Sequence, residues 1–391
     1  MKKVYIGLDA HKETILIALG FAGRSDPESY GKASSDLDGF LKILRRIQVK
    51  YELKKEEVAL CYEAGPTGFV LCRRLRELGY ECEVIAPSSI PKKSGERIKT
   101  DRRDACKLAR LFRAGDLTCV HVPDRTDEVI RDVARARTDA VEARMRARQQ
   151  LGGLLLRNGY NYTGKSAWSE AHMRYLREMV LPDRAQKLVL EEYLQRIDAS
   201  VATVDRIEEQ MKAILPTWSR RRFVEALQGF RGFQFVASMV ITGELGDLMR
   251  FRHPRPLMAY LGLVPSEHST GERRRQGSIT KSGNSHARWM LVEVAHHYRI
   301  PPKVSKELSR RQEGLSREIR ELSWRAQNRL HQRFSRLLLR GLHPNKAVVA
   351  VARELVGFIW ELSRILEPDA VGSENAPIHA EVHPESMVFA G

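Results

Sequence analysis

Four acidic residues, Asp9, Glu63, Asp101 and Asp104, stand where the sequence predicts a strand to end or a helix to begin, and carboxylates so placed can hold divalent ions. Asp9 closes the apolar run Val4-Tyr5-Ile6-Gly7-Leu8, and Glu63 closes Val58-Ala59-Leu60-Cys61-Tyr62. Asp101 and Asp104 lie three apart in Lys99-Thr100-Asp101-Arg102-Arg103-Asp104, a spacing that puts both on one face of a helix. Phosphodiester chemistry on two ions needs carboxylates from separate elements converging on metals roughly 3.5 to 4 Å apart. Mg²⁺ is the expected ion, because it takes few carboxylates and fills its shell with water and substrate phosphate. Each acid alone also fits a plainer role: Asp101 or Asp104 complementing a helix dipole, Asp9 starting a turn, Glu63 solvated at a strand end. The four together, in this order, favour the metal site.

A second group of reactive side chains lies between Ser266 and Arg288. Ser266, Ser269, Thr270, Ser278, Thr280, Ser282 and Ser285 are interleaved with Arg273, Arg274, Arg275, Lys281 and Arg288. A hydroxyl can attack a phosphodiester and hold the DNA end covalently, conserving the bond energy for rejoining. The surrounding cations would bind the phosphate and stabilise its transition-state charge. The plainer reading is a Ser/Arg-rich loop that grips a DNA backbone. Upstream, Leu227 to Phe233 followed by Ala237, Val240, Ile241 and Leu245 predicts a helix, a glycine turn and a second helix. Gly229, Arg231 and Gly232 could meet a nucleic-acid backbone there, as in a helix-hairpin-helix; a simple αα-turn is the alternative.

The elements that must position these groups fall into four regions. Residues 1–122 read as α/β, with strands over 4–9, 14–21, 58–63 and 81–85 and helices near 36–49, 67–78 and 101–114. The first two strands are separated by only Ala10-His11-Lys12-Glu13, which predicts a hairpin and hence a mixed sheet. Antiparallel strands followed by a strand-helix-strand unit is the order of an RNase H-like fold. Over 123–215 two heptad-like seams appear, Val129 to Leu154 and Leu190 to Ile214, predicting an antiparallel coiled coil, a dimer arm or two helices of a bundle. Residues 216–340 form an Arg-rich helical unit. The last region, 341–391, reads as a helix and then, past about 366, a disordered tail.

Composition narrows the partners. The 391 residues hold 66 Lys plus Arg against 49 Asp plus Glu, a formal charge of +17, so a polyanion is the default partner. Arginine carries most of the excess, and its planar fork suits phosphate. Five cysteines without a C-x-x-C pair indicate neither a disulfide framework nor a zinc ribbon, and they read as buried thiols in a reducing compartment. With no secretory h-region and no apolar span, the expected location is the cytoplasm, away from membranes. Trp289, Trp324 and Trp360 at helical positions read as core.

Three segments, Tyr5-Ile6-Gly7-Leu8-Asp9-Ala10-His11-Lys12, Glu63-Ala64-Gly65-Pro66-Thr67-Gly68 and Lys99 to Ala105, resemble the DEDD motifs of insertion-sequence transposase family one-ten. Ala259 to Glu272, continued by Gly277 to Asn284, is similar to that family's C-terminal transposase domain. The resemblance implies a RuvC-like N-terminal domain and a DNA recombinase with a serine nucleophile after the Gly-Leu-x-Pro segment. Counting back from Lys281 places that serine at Ser269, and counting forward from Pro265 lands on the adjacent Thr270. It further implies a structured noncoding RNA encoded by the element, which pairs with donor and target DNA while the protein holds backbones. It also implies a homo-oligomer, dimer or tetramer, with the carboxylates of one protomer and the serine of another in one active site. Two other functions compete: a RuvC-like metal-dependent nuclease that hydrolyses DNA, and a nucleic-acid-binding scaffold without chemistry.

Overall fold

The structure, a computed structural model, describes residues 2–91, 100–267 and 276–367. The chain divides into two compact units that part between Pro123 and Asp124.

In the first unit the chain runs β1 (Val4–Ala10), β2 (Thr14–Phe21), β3 (Glu28–Ser34), α1 (Leu37–Lys50), β4 (Val58–Glu63), α2 (Val70–Glu77), β5 (Glu81–Ile85) and α3 (Asp101–Ala114). The strands form one five-stranded sheet in the order β3-β2-β1-β4-β5. β1–β2 and β2–β3 pair antiparallel, whereas β1–β4 and β4–β5 pair parallel, so the sheet is mixed. Alternation along each strand sorts the two faces. Val4, Ile6 and Leu8, with Ile15, Ile17, Leu19, Leu60 and Tyr62, pack under Phe40, Leu44 and Ile47 of α1 and Cys72 and Leu75 of α2. The opposite face takes α3, whose Ala105 and Ala109 lie on Leu16 and Ala18. β3 is an addition to the expected strands. It is an edge strand with a register shift and only Ala33 buried, so its sequence carries no apolar alternation.

Gly7 is what lets α3 lie so close to β1. A Cβ there would stand 2.3 Å from the Ala105 carbonyl oxygen and 2.5 Å from the Ala109 amide nitrogen, both backbone atoms of α3. No side chain fits that gap, so glycine sets the height of the helix that carries Asp101 and Asp104.

The second unit is mostly helical: α4 (Arg125–Arg157), α5 (Glu170–Glu178), α6 (Arg184–Ile214), α7 (Arg221–Gln228), α8 (Phe235–Leu245), α9 (Pro254–Tyr260), the hairpin β6 (Pro265–Glu267) and β7 (Gln276–Ile279), α10 (Ser285–Ala295), α11 (Lys306–Arg311), α12 (Arg317–Leu339) and α13 (Pro344–Leu366). α4 and α6 pair antiparallel: Leu151 and Leu154 meet Leu190 and Leu194 at one end, and Val133 packs with Ile207 and Met211 towards the other. The seam on α4 differs from the expected one, whose Ala136 and Ala143 are exposed, and differs most in its first turns. Val129 is 53% exposed, and Ile130 and Ala134 are buried instead, because there α4 turns towards α8 and Ile130 fills the space above Gly243. α13 contributes Val351, Leu355 and Ile359 to the same core as Leu227, Phe230, Ile241 and Leu291, so the chain beyond residue 340 is integral to the Arg-rich unit. The tail expected past about 366 lies, from residue 368 on, outside the described residues.

Two smaller expectations change. Trp289 and Trp324 are 46% and 45% exposed, so only Trp360, whose Nε1 donates to the Phe251 carbonyl, packs as expected. Cys61, Cys72 and Cys82 are buried, but Cys119 is exposed.

Candidate functional site

The ladder between β1 and β4 runs as far as Leu8 opposite Tyr62, which makes Asp9 and Glu63 the next residue on each of two adjacent parallel strands. Neighbouring strands lie about 4.8 Å apart, so the two acids start from neighbouring positions. Strand alternation gives Asp9 the same face as Gly7, the residue that α3 crosses. Glu63 shares its face with Cys61, whose Sγ lies 3.9 Å from the Leu108 carbonyl of α3. Both strand-end carboxylates therefore face the helix whose first turn holds Asp101 and Asp104. Thr100 caps that helix, its side chain accepting from the Arg103 amide, which fixes where the first turn begins.

The tightest cluster contains a residue that the sequence reading passes over. His11, one residue beyond the end of β1, brings Nε2 to 3.2 Å from Asp9 Oδ2 and 3.6 Å from Asp101 Oδ2. The three donor atoms lie within 4.8 Å of one another. The sequence signal was Asp-x-His at the mouth of a hairpin, a spacing that brings both side chains to one side. Glu63 is exposed at its strand end and Asp104 half-buried, and both lie outside this trio.

The Asp9 carboxyl sits above its ordinary range. Burial is the largest cause, the hydrogen bond and charge of His11 oppose it, and the charges of Asp101 and Asp104 push it further up. Carboxylates crowded against their mutual repulsion are stabilised by a shared cation. Among the described residues, Asp9, Asp101 and His11 are the groups placed closely enough to share a divalent ion.

In the second unit, Ser269, Thr270, Arg273, Arg274 and Arg275 lie outside the described residues. The segments flanking them are held firmly. Thr280 and Lys281 donate their amides to the Val264 and Gly262 carbonyls, and the Arg288 guanidinium donates to both Leu261 and Ser282 carbonyls at 2.8 Å. Arg288 thus ties the end of α9, which leads into the hairpin, to the segment that leaves it. Lys281 is exposed.

The glycine turn between α7 and α8 is engaged within the chain. The Gly229 carbonyl accepts from Gln312 Nε2 and Ser323 Oγ, both at 2.8 Å. Gly232 has φ +85°, and a Cβ there would lie 2.9 Å from the Val294 carbonyl. Arg231 donates to the carbonyls of Ile300 and Pro301. These three residues serve the packing of α7 and α8 against α10 and α12.

A buried carboxylate anchors the start of α10. Glu244 on α8 is fully buried and accepts from Arg135 at 2.9 and 3.1 Å and from Asn284 at 2.7 Å, with His286 Nδ1 at 2.9 Å. Asn284 also caps α10 by accepting from the Ala287 amide. Burial alone would raise the Glu244 pKa, but hydrogen bonds from His286, Arg135 and Asn284 and the Arg135 charge outweigh it and hold it at about 2. This folded value lies below the ordinary 4.5, so the stabilisation is complete above about pH 4.5 and is lost as pH falls towards 2. Glu244→Ala strands buried donors and should destabilise the unit by about 3–5 kcal/mol. Thermal melts should show that loss near neutral pH, and between pH 5 and about pH 3 the wild-type Tm should fall more steeply than that of Glu244→Gln.

Among the described residues, no helix is long and apolar enough to cross a membrane. Comparison with known proteins adds two matches along the chain. Residues 6–158 match a transposase family model of the DEDD IS110 type, and residues 224–308 match the model described as Transposase IS116/IS110/IS902 family. "Putative transposase y4qE" of Sinorhizobium fredii is 42% identical over 364 residues, spanning 93% of this chain and 89% of that protein. "Transposase for insertion sequence element IS1533" of Leptospira borgpetersenii is 28% identical over 341 residues, 86% of this chain and 97% of its own length.

Proposed function

Because the chain belongs to the IS116/IS110/IS902 family of transposases, we propose that it cuts and rejoins DNA at the ends of an insertion sequence, with Ser269 as nucleophile and Asp9, Glu63, Asp101 and Asp104 as its metal site. The observation that supports this most is the convergence of two strand-end acids and the acidic first turn of α3 on one face of the sheet. The strand order β3-β2-β1-β4-β5, with β2 antiparallel to β1, suits an RNase H-like, RuvC-like domain.

Bound Mg²⁺ would supply Lewis-acid stabilisation of charge on the phosphate oxygens. Asp9 of β1, Glu63 of β4 and Asp101 and Asp104 of α3 would hold such an ion from three separate elements. The Ser269 hydroxyl attacks phosphorus, the phosphoserine ester forms as the P–O bond to the leaving deoxyribose breaks, and the leaving oxygen takes up a proton. Attack by a second strand's hydroxyl on that ester reverses these changes and joins the new strand. Arg273, Arg274, Arg275 and Lys281 contact the phosphate, and Arg288 braces the loop base from within. Should the register differ by one, Thr270 takes the same role.

The +17 charge supports donor and target DNA as partners held by their backbones. That a noncoding guide RNA supplies the base recognition rests on the family resemblance alone. Exposed apolar side chains on the paired helices, such as Met145, Leu156 and Leu188, suit a homo-oligomer contact, so that carboxylates and serine can come from different protomers. The test is a recombination assay of donor and target plasmids with Mg²⁺, with and without RNA transcribed from the element's flank. Joined products requiring both support the reading. RNA-independent joining removes the guide, and cleavage without joining favours a RuvC-like nuclease.

A further inference from the structure

We propose that His11 is itself a ligand in the carboxylate site and decides which divalent ion that site prefers. This rests on the reading of Asp9 and Asp101 as metal-holding groups. The hairpin puts His11 at the site's edge: its amide donates to the Thr14 carbonyl at 2.9 Å, which closes the turn between β1 and β2. From there Nε2 reaches both aspartates, at 3.2 and 3.6 Å. An ion roughly 2.1 Å from each donor keeps its ligands ~3 Å apart when cis and ~4 Å when trans. The trio, its donor atoms mutually within 4.8 Å, therefore needs only a small contraction to share one ion. The ring is 49% exposed, so it has room to make that adjustment and solvent gives the ion an entry path.

An imidazole changes the chemistry of an otherwise all-oxygen site. Mg²⁺ favours oxygen ligands and keeps its waters, whereas Mn²⁺, Co²⁺ and Zn²⁺ accept a neutral imidazole and bind it with rising affinity. A DEDD site with His11 inside it should hence favour Mn²⁺ over Mg²⁺ more strongly than the carboxylates alone would. A competing role is that of a spacer between Asp9 and Asp101, bonded to the first through Nε2, which any metal must displace. The two roles predict opposite consequences of removing the ring.

The experiment titrates the full-length protein with MnCl₂ and separately with MgCl₂ by calorimetry, and records the Mn²⁺ electron spin-echo spectrum for nitrogen coupling. Wild type, His11→Ala and Asp9→Ala are compared, with circular dichroism confirming that each is folded. His11→Ala should weaken Mn²⁺ binding about 10- to 100-fold, change Mg²⁺ binding less than about threefold, and abolish the nitrogen coupling present in wild type. An unchanged Mn²⁺/Mg²⁺ ratio without nitrogen coupling overturns the proposal. So does tighter binding of both ions by His11→Ala, which would make the histidine a competitor. Wild-type Mn²⁺ affinity in Asp9→Ala, or no Mn²⁺ binding by wild type, would instead remove the carboxylate reading on which the proposal rests.

Discussion

Asp9→Ala should lower strand exchange by at least about 10³-fold while leaving the protein folded. Losing a metal carboxylate removes several kcal/mol of transition-state charge stabilisation, and ~4 kcal/mol corresponds to that factor. A structural role would predict the reverse pairing of effects. The Asp9 carboxyl is raised by burial first and by Asp101 and Asp104 besides, so the folded state holds its proton more tightly than the unfolded chain does. The sign follows: its contribution favours folding at low pH and is lost as pH rises through the raised folded value. Near neutral pH the ionised Asp9 therefore costs stability, and Asp9→Asn should melt at the same temperature as wild type or higher, yet be inactive. Such a pairing marks a group kept for chemistry against the interest of the fold. Melting curves and a plasmid recombination assay on the same preparations measure both halves; a sharply destabilised Asp9→Asn would return the residue to the fold.

Ser269→Ala should have the second large effect, abolishing strand exchange by about 10⁴-fold or more, the scale expected when a nucleophile acting in concert with its site is deleted. DNA binding should change little, because one hydroxyl among the many cations of a +17 chain carries a small share of backbone affinity. Filter binding at fixed salt, read beside recombination, separates the two. Full recombination by Ser269→Ala would move the chemistry to Thr270 or to water.

Much of the site's scaffold was legible because its strands are buried on both faces. Val4 to Leu8 and Val58 to Tyr62 are apolar runs ending in an acid, and the register of β1 on β4 places those two ends together. β3 was not legible: Glu28–Ser34 covers an edge, and its only buried side chain is Ala33. His11 is hard to read from sequence for a different reason. A lone histidine in a turn carries no periodicity, and its meaning depends on Asp101, ninety residues onward and brought near by α3. Glu244 shows the same limit. Its acidic side chain within the apolar helix α8 is explained only by Arg135, Asn284 and His286 arriving from α4 and the start of α10. The glycine turn at Gly229 and Gly232 is legible as a turn, but its packing partners, Gln312, Ser323 and Val294, come from later helices that local sequence does not announce.

The central claim is that the carboxylates of the first unit serve a hydroxyl of the second rather than a water. The most direct measurement is a covalent trap: labelled DNA bearing an element end, nicked so that the leaving strand diffuses away, incubated with Mg²⁺, the transcribed RNA and protein, then denatured and digested for peptide mapping. The account predicts a label-bearing adduct that maps to the peptide containing Ser269, is absent with Ser269→Ala, and is lost with Asp9→Ala. Cleaved DNA without any protein attached would contradict it and leave a hydrolytic nuclease in its place.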